Sequence, residues 1–436
     1  MTGSARRDTS TGGHSDSSGP GAATAACGGH GRVDLETARA AAAAAAFIAP
    51  VEEVPVHAAT GRVLAGDLVT PIPLPHYTSS AMDGWAVRGD GPWRVVDGTA
   101  LAASDSGAEA PGLGPGEAVV IVTGGLVPSG TDAVLRSEAG HVVDGVLEAV
   151  GEVGRQDVAG RRHLRHAGAE AAAGDVVLGD GLVLTPPRIA LAAATGADVM
   201  RVRRRPRVAL VLTGDEVVES GVPAPGRVRD SFSVVLPAVL TELGLEVVGV
   251  HRVADEVTAT EAALVADAAE LVVTTGGTGG SGVDFVRAAV ERLGVERPGV
   301  GRQRDDEPGT EWLVPSVAIR PGGPTFLARA GDRLVLGLPG NPLAAVLGLL
   351  AVGGPLFAAW TGRPEATSEI VVGVPIGGAA GATRLVPVVV RDGRAVPAAH
   401  VGTGMMRGLA DADAIAVVPS GGVAAEASVT ALRLPW

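Results

Sequence analysis

Arg207-Val-Ala-Leu-Val-Leu-Thr-Gly-Asp-Glu216 decides the fold. Its apolar run stops at Thr213-Gly214-Asp215-Glu216, as a buried parallel strand does when it ends in a polar turn. The pattern recurs. Glu246 to Val250 reads as a second strand. Leu271-Val272-Val273-Thr274 is a third and runs into Thr275-Gly-Gly-Thr-Gly-Gly-Ser-Gly-Val-Asp284. Leu334 to Leu338 is a fourth and stops at Pro339-Gly340-Asn341-Pro342. Helical periodicity lies between: Phe285, Ala289 and Leu293 share one face, with Val286 and Val290 beside it. Strand, polar turn and helix in repetition make a doubly wound α/β domain. Such folds bind ligands beyond the carboxyl ends of the strands, at the point where the strand order reverses.

Three of these four strand ends combine glycine with Asp, Thr or Asn. Amides beside glycine approach phosphates closely, and the next helix N-terminus favours anions. Carboxylates at the same place suit a divalent cation bridging protein and phosphate. The plainer alternative is that the glycines only make tight turns.

The 436 residues are enough for three or four domains. Hydrophobic residues make up 46% but aromatics only 3%, so Ala, Val and Leu must build the core. A net charge of −13 argues against general nucleic-acid binding, which relies on neutralising phosphates. The chain has no lysine; all its cations other than histidine are arginines. Cys27 is the single cysteine, which excludes an internal disulfide and a cysteine metal cluster. No apolar run reaches transmembrane length and no signal-peptide pattern opens the chain, so a cytoplasmic protein is expected.

Residues 1–33, rich in Ser, Gly, Thr and Ala, read as a disordered tail in which His14 and His30 stand isolated. Val33 to Pro50 reads as a helix capped by Asp34. Three prolines between Thr70 and Pro75 exclude helix and central strand. Ser79 to Gly84 follows as a small-residue loop in which Asp83 could cap or close a turn. Trp93 to Val150 reads as a small β domain, inside which Val119 to Val122 runs into Thr123. Arg155 to Gly174 carries Arg155, Arg161, Arg162, His163, Arg165 and His166, an anion site or a solvated loop. Pro186 to Gly196 reads as a short helix and Val199 to Pro206 as a linker. Gly294 to Gly331 reads as irregular. Pro342 to Trp360 is a helix begun by proline, and Glu369 to Trp436 a C-terminal β domain.

The motifs Ser80-Ala-Met-Asp-Gly-Trp-Ala-Val87, Thr123-Gly124 with Pro128 and Gly130-Thr-Asp-Ala-Val134, Thr213-Gly-Asp-Glu216, Asp255, Thr275-Gly-Gly277 with Asp284, and Leu338-Pro-Gly-Asn-Pro342 occur in order. In this the chain resembles the molybdopterin molybdenumtransferases and is similar to the C-terminal domain of gephyrin. The resemblance implies a multidomain α/β protein with four domains. An elongated helical domain would comprise 34–68 and 162–204, with a β domain (69–161) inserted in it. A molybdopterin-binding α/β domain (205–364) and a C-terminal β domain (365–436) would follow. It implies a homodimer whose active site lies between the α/β domain of one subunit and the inserted domain of the other. The implied reaction takes adenylyl-molybdopterin and molybdate to molybdenum cofactor and AMP, helped by Mg²⁺, with onward transfer to molybdoenzymes or their chaperones. No nucleic acid or membrane partner is implied.

Carried over by motif, Asp83, Glu216 and Thr123 would be catalytic. Asp215, Asp255 and Asp284 would be metal ligands. Thr213, Gly214, Thr275, Gly276, Gly277, Ser281, Arg320, Pro339, Gly340, Asn341 and Arg165 would bind substrate. The chain also departs from the family. A Lys-Pro-Gly-Lys-Pro segment is Arg320-Pro-Gly-Gly-Pro324, and a further lysine position holds Ser316. Asp-Ser-Asn is Asp230-Ser-Phe232, an expected aspartate is Glu170, and Gly279-Gly-Ser-Gly282 lacks a carboxylate. A divergent paralogue that binds pterin or a partner with little catalysis, or a molybdopterin adenylyltransferase, stays as an alternative.

Overall fold

The computed structural model describes residues 31–100, 112–279, 284–294 and 309–436. The expectations for the N-terminal tail with Cys27, His14 and His30, and for Ser281, lie outside these residues.

The α/β part is built on a six-stranded sheet. Its order is Glu246–Arg252, Arg207–Leu212, Leu271–Thr275, Arg333–Leu338, Phe326–Ala330, Glu311–Val314. The first four are parallel and the last two antiparallel. In chain order the parallel strands run second, first, third, fourth, so the order reverses at Arg207–Leu212. The strands Arg207–Leu212 and Leu271–Thr275 are buried almost throughout, which is why they read as unbroken apolar runs. Two apolar layers cover the sheet, one including Leu210, Val273, Leu336 and Phe357, the other Val211, Val272, Val286 and Val290.

The segment 294–331, expected to be irregular, supplies three strands instead: Glu311–Val314, Ile319–Arg320 and Phe326–Ala330. Antiparallel pairing to Arg333–Leu338 holds the last, and its Phe326 packs edge-on against Trp312. The expected linker at Val199 to Pro206 is also a strand, Val199–Arg203, paired antiparallel with Val51–Pro55. Alternation there is between Arg and apolar residues, with Met200 and Val202 buried, and a run so rich in arginine hides that period.

The first helix is Leu35–Ala44, capped by the Asp34 side chain accepting from the Thr37 N–H at 2.8 Å. It ends at Ala44, short of the expected Pro50. The released chain sets Phe47 edge-on to Trp360, with ring centres 4.5 Å apart. A second sheet has the order Ala133–Arg136, Gly84–Val87, Glu117–Ile121, Trp93–Ala100, Val146–Ala149, Gly140–Val143. It carries a helix, Gly151–Ala159, that the sequence reading missed. A third sheet joins Ile319–Arg320 to the C-terminal strands.

Pro342–Thr361 runs as one 20-residue helix long and apolar enough to cross a membrane, contrary to the sequence reading. With 83% of its apolar window buried inside the molecule, it is the core helix of the α/β layer. Gly362, at φ +74, ends it in left-handed backbone.

Candidate active site

Residues from the first, third and fourth parallel strands meet where the strand order reverses. The Thr213 hydroxyl donates to the Thr275 carbonyl at 2.6 Å, tying the first strand to the third. The Gly276 N–H donates to the Leu338 carbonyl at 3.0 Å, tying the third to the fourth. Gly276 takes φ +82, and a β-carbon there would stand 2.5 Å from the Thr213 hydroxyl, so only glycine fits. Gly340 is close enough that its β-carbon would lie 3.6 Å from the Gly276 Cα. Pro339 is buried while Gly340 and Asn341 are exposed at the start of the helix.

The acids gather beside this seam in part. The Gly214 N–H donates to Asp255 Oδ1 at 2.8 Å, and the Asp255 N–H to Asp215 Oδ1 at 3.4 Å. Asp215, Glu216 and Asp255 are all exposed. Asp284, expected as a third metal ligand, heads the helix Phe285–Leu293. Among the described residues, no group of three His, Cys, Asp or Glu side chains is placed to hold a metal ion. The expected trio is therefore not assembled. Asp215 and Asp255 are the pair that remains.

Asp83 and Thr123 meet beside the second sheet, before Gly84–Val87 and after Glu117–Ile121. The Thr123 N–H donates to Asp83 Oδ1 at 2.6 Å. This bond, with one involving the Thr123 hydroxyl, holds the Asp83 carboxyl below its ordinary range. Asp83 thus bridges to the Thr123 loop, rather than capping a helix or closing a turn. Gly84 allows this placement: a β-carbon there would stand 2.0 Å from the Leu135 carbonyl oxygen. Arg165 is exposed on a two-residue strand, opposite Ser79.

Arg320 is exposed beside a turn in which Gly322 takes φ +108. That turn comes near the first turn of the helix after Asn341, since a β-carbon at Gly322 would lie 3.3 Å from the Ala344 carbonyl. Asp230 keeps its acid although the neighbouring amide is lost. Its Oδ1 accepts from the Ser233 N–H at 3.0 Å, and Arg252 forms an ion pair with it. Phe232, in the place of the amide, packs against the main core.

Two contributors were missed. The Arg227 guanidinium bonds the Asp215 carbonyl and so pins the acidic turn. The Thr403 carbonyl accepts from the Ala344 N–H at 3.3 Å, so the Val401–Met406 loop reaches the helix start. The Gly402-Thr-Gly404 run is the sequence signal for that loop; Arg227 gave none.

The family description "MoeA N-terminal region (domain I and II)" matches residues 33–196, and "Probable molybdopterin binding domain" matches 209–359. The molybdopterin molybdenumtransferase 2 of Mycobacterium tuberculosis is 34% identical over 303 residues, 67% of this chain and 71% of that one. The chain belongs to the molybdopterin molybdenumtransferase family. Another relative, the molybdopterin molybdenumtransferase of Haemophilus influenzae, is 30% identical over 73% of this chain and 75% of its own. The fold is that of the molybdopterin biosynthesis MoeA protein from Pyrococcus horikosii, with a TM-score of 0.71 at 24% identity, covering 93% of this chain and 99% of that one.

Proposed function

We propose that the protein is a molybdopterin molybdenumtransferase. It takes adenylyl-molybdopterin and molybdate as substrates, inserts molybdenum into the pterin dithiolene and releases AMP. The observation that carries this is the seam at the strand reversal: the Thr213–Thr275 bond and the close-packed Gly276, with Asp215 and Asp255 beside it. Thr213, Gly214, Thr275, Gly276 and Gly277, with Pro339, Gly340 and Asn341, cradle the pterin phosphate. Ser281, Arg320 and Arg165 complete the substrate contacts. Glycines at these strand ends let a phosphate approach the backbone closely, and the N-terminus of the helix after Asn341 favours an anion.

Cleaving a phosphoanhydride requires neutralising charge that builds on its oxygens. Asp215 and Asp255 fit a Mg²⁺ ion, which commonly takes one or two carboxylates and completes its shell with water and substrate phosphate. When bound, that ion supplies charge neutralisation at the phosphates. Glu216 orients the attacking group, and Asp83 with Thr123 reaches the same phosphates from the inserted domain of a second copy in a homodimer. Asp284 adds to the acidic rim. The cofactor then passes to molybdoenzymes or their chaperones, and the protein works in the cytoplasm.

The test is AMP release from adenylyl-molybdopterin with Mg²⁺ across a range of molybdate concentrations. Molybdate-dependent release is expected. Ser316→Lys and Gly323→Lys should lower the molybdate requirement. Pterin binding without AMP release at any molybdate level, unchanged by both substitutions, would favour a binding protein. ATP consumption with molybdopterin would mark an adenylyltransferase.

A further inference from the structure

Asp157 is the most completely buried acid among the described residues, at 0% exposure. It sits on the helix Gly151–Ala159, outside the seam. Arg136 grips it as a fork, Nε to Oδ2 at 2.7 Å and Nη2 to Oδ1 at 2.9 Å. His163 Nε2 lies 3.0 Å from both Asp157 Oδ1 and Arg136 Nη2. Burial opposes the Asp157 charge, yet the bonds from Arg136 and His163 outweigh it and hold the carboxyl below its usual range. An arginine and a histidine, each partly exposed, thus converge on one buried carboxylate.

The backbones of the same residues hold the loop that presents Asp83. The Ala81 N–H donates to the His163 carbonyl at 2.8 Å. At the other end Gly84 pairs with Arg136, and the Ser137 N–H donates to the Asp83 carbonyl at 2.9 Å. The Arg162 N–H reaches the Asp157 carbonyl at 3.0 Å, and the Val134 N–H the Arg162 carbonyl at 3.1 Å. His163 takes φ +68, left-handed backbone that a non-glycine residue adopts only when its surroundings impose it. Both ends of the Ala81–Gly84 loop therefore hang from residues whose side chains converge on one carboxylate.

We infer that Asp157, with Arg136 and His163, is a positioning centre for Asp83. Asp157 touches no substrate. It fixes the two backbone segments between which the loop is stretched, and through them the place of the Asp83 carboxylate and the Thr123 amide. The consequence for rate rests on the proposed function; the consequence for loop order does not.

The test uses Asp157→Asn in the full chain. Amide hydrogen exchange at Ala81, Ser137 and Thr123 should quicken by about tenfold or more, while exchange in the strand Leu271–Thr275 stays unchanged. AMP release should fall about tenfold or more in kcat, with KM within about threefold. In an Asp83→Asn background the same substitution should cost less than about twofold, because its effect passes through Asp83. Equal rate losses in both backgrounds, or unchanged exchange at the three amides, would overturn the inference. If the unsubstituted protein releases no AMP, the proposed function fails and the exchange comparison alone decides this point. If Asp157→Asn does not fold, His163→Gln leaves the Arg136 fork intact and is read by the same measurements.

Discussion

Gly276→Ala tests whether the seam at the strand reversal is as tightly built as its geometry says. The added methyl would stand 2.5 Å from the Thr213 hydroxyl oxygen. That hydroxyl belongs to a residue 7% exposed and is already committed to the Thr275 carbonyl at 2.6 Å. It cannot swing aside without breaking the tie between the first and third strands. Left-handed backbone at φ +82 costs an alanine about 1 kcal/mol. Loss of the hydrogen bond adds about 1 kcal/mol, and crowding about 1–3 kcal/mol. The sum is about 3–5 kcal/mol, which for a domain of this size lowers the melting transition by roughly 10 °C. Thr213→Ala alone removes only the hydroxyl and should cost about 1 kcal/mol. In that background the alanine at 276 has room, and only backbone strain remains. The two substitutions should then show a coupling of about 2 kcal/mol or more, read from thermal or urea unfolding of the four proteins. Additive losses would show that the methyl does not meet the hydroxyl, and the close approach assigned to this seam would be wrong.

Asp83→Asn and Glu216→Gln should each lower AMP release roughly a hundredfold while leaving circular dichroism unchanged; full activity in both would remove these residues from the site. Sedimentation at micromolar concentration should show a dimer, and a monomer alone would count against a site shared between subunits. Burial opposes the Asp230 charge, but the Ser233 and Arg252 hydrogen bonds outweigh it and hold the carboxyl below its reference value of 3.8. A carboxyl depressed in the folded state contributes stability that is present above the unfolded pKa and lost as pH falls through the folded one. Asp230→Asn should therefore reduce stability at neutral pH and flatten the acid limb below about pH 4; a limb as steep as before would refute the pairing.

The central domain was legible because its strands are buried on both faces and end abruptly in glycine. A run such as Val208 to Leu212 needs no partner in view to be read. The strand Val199–Arg203 was hidden because arginine stands at two of its five positions, with Arg204 and Arg205 directly after it, and its pairing partner lies some 150 residues earlier. The helix Gly151–Ala159 begins with glycine, has a second at Gly154 and lacks a side-chain cap, so local signals disfavour it. Packing supplies what propensity lacks: Gly154 and Asp157 are buried, and the Arg136 fork ties the helix to the sheet. At the site, motif order marked Asp83, Thr123, Thr213 and Gly276, but spacing could not show that Asp83 accepts from Thr123. Nor could it show that the Asp255 N–H donates to Asp215, since those relations depend on long-range packing.

The absent lysines bear on how an oxyanion would be met. The turn at Arg320 is closed by the Val317 N–H donating to the Gly323 carbonyl at 3.1 Å. A β-carbon at Gly323 would stand 3.3 Å from the Ile319 carbonyl and 3.5 Å from the Val317 carbonyl. A lysine fits there only if the backbone yields by tenths of an ångström. Gly323→Lys must therefore be shown to fold before its effect on molybdate is read. Arg320 itself lies on a strand parallel to Thr383–Arg391, with its Cα opposite that of Arg384. Among the described residues, Arg384 Nη1 donates to the Gly377 carbonyl at 2.8 Å. A guanidinium has five N–H donors in a fixed fork, so that bond does not exhaust it. Two guanidinium forks side by side would offer an oxyanion directed hydrogen bonds, where lysines act as mobile point charges. Arg384→Gln should then weaken molybdate dependence more than restoring a lysine at 323 strengthens it. Unchanged molybdate dependence in Arg384→Gln would assign the oxyanion to the strand-end amides and Arg320 alone.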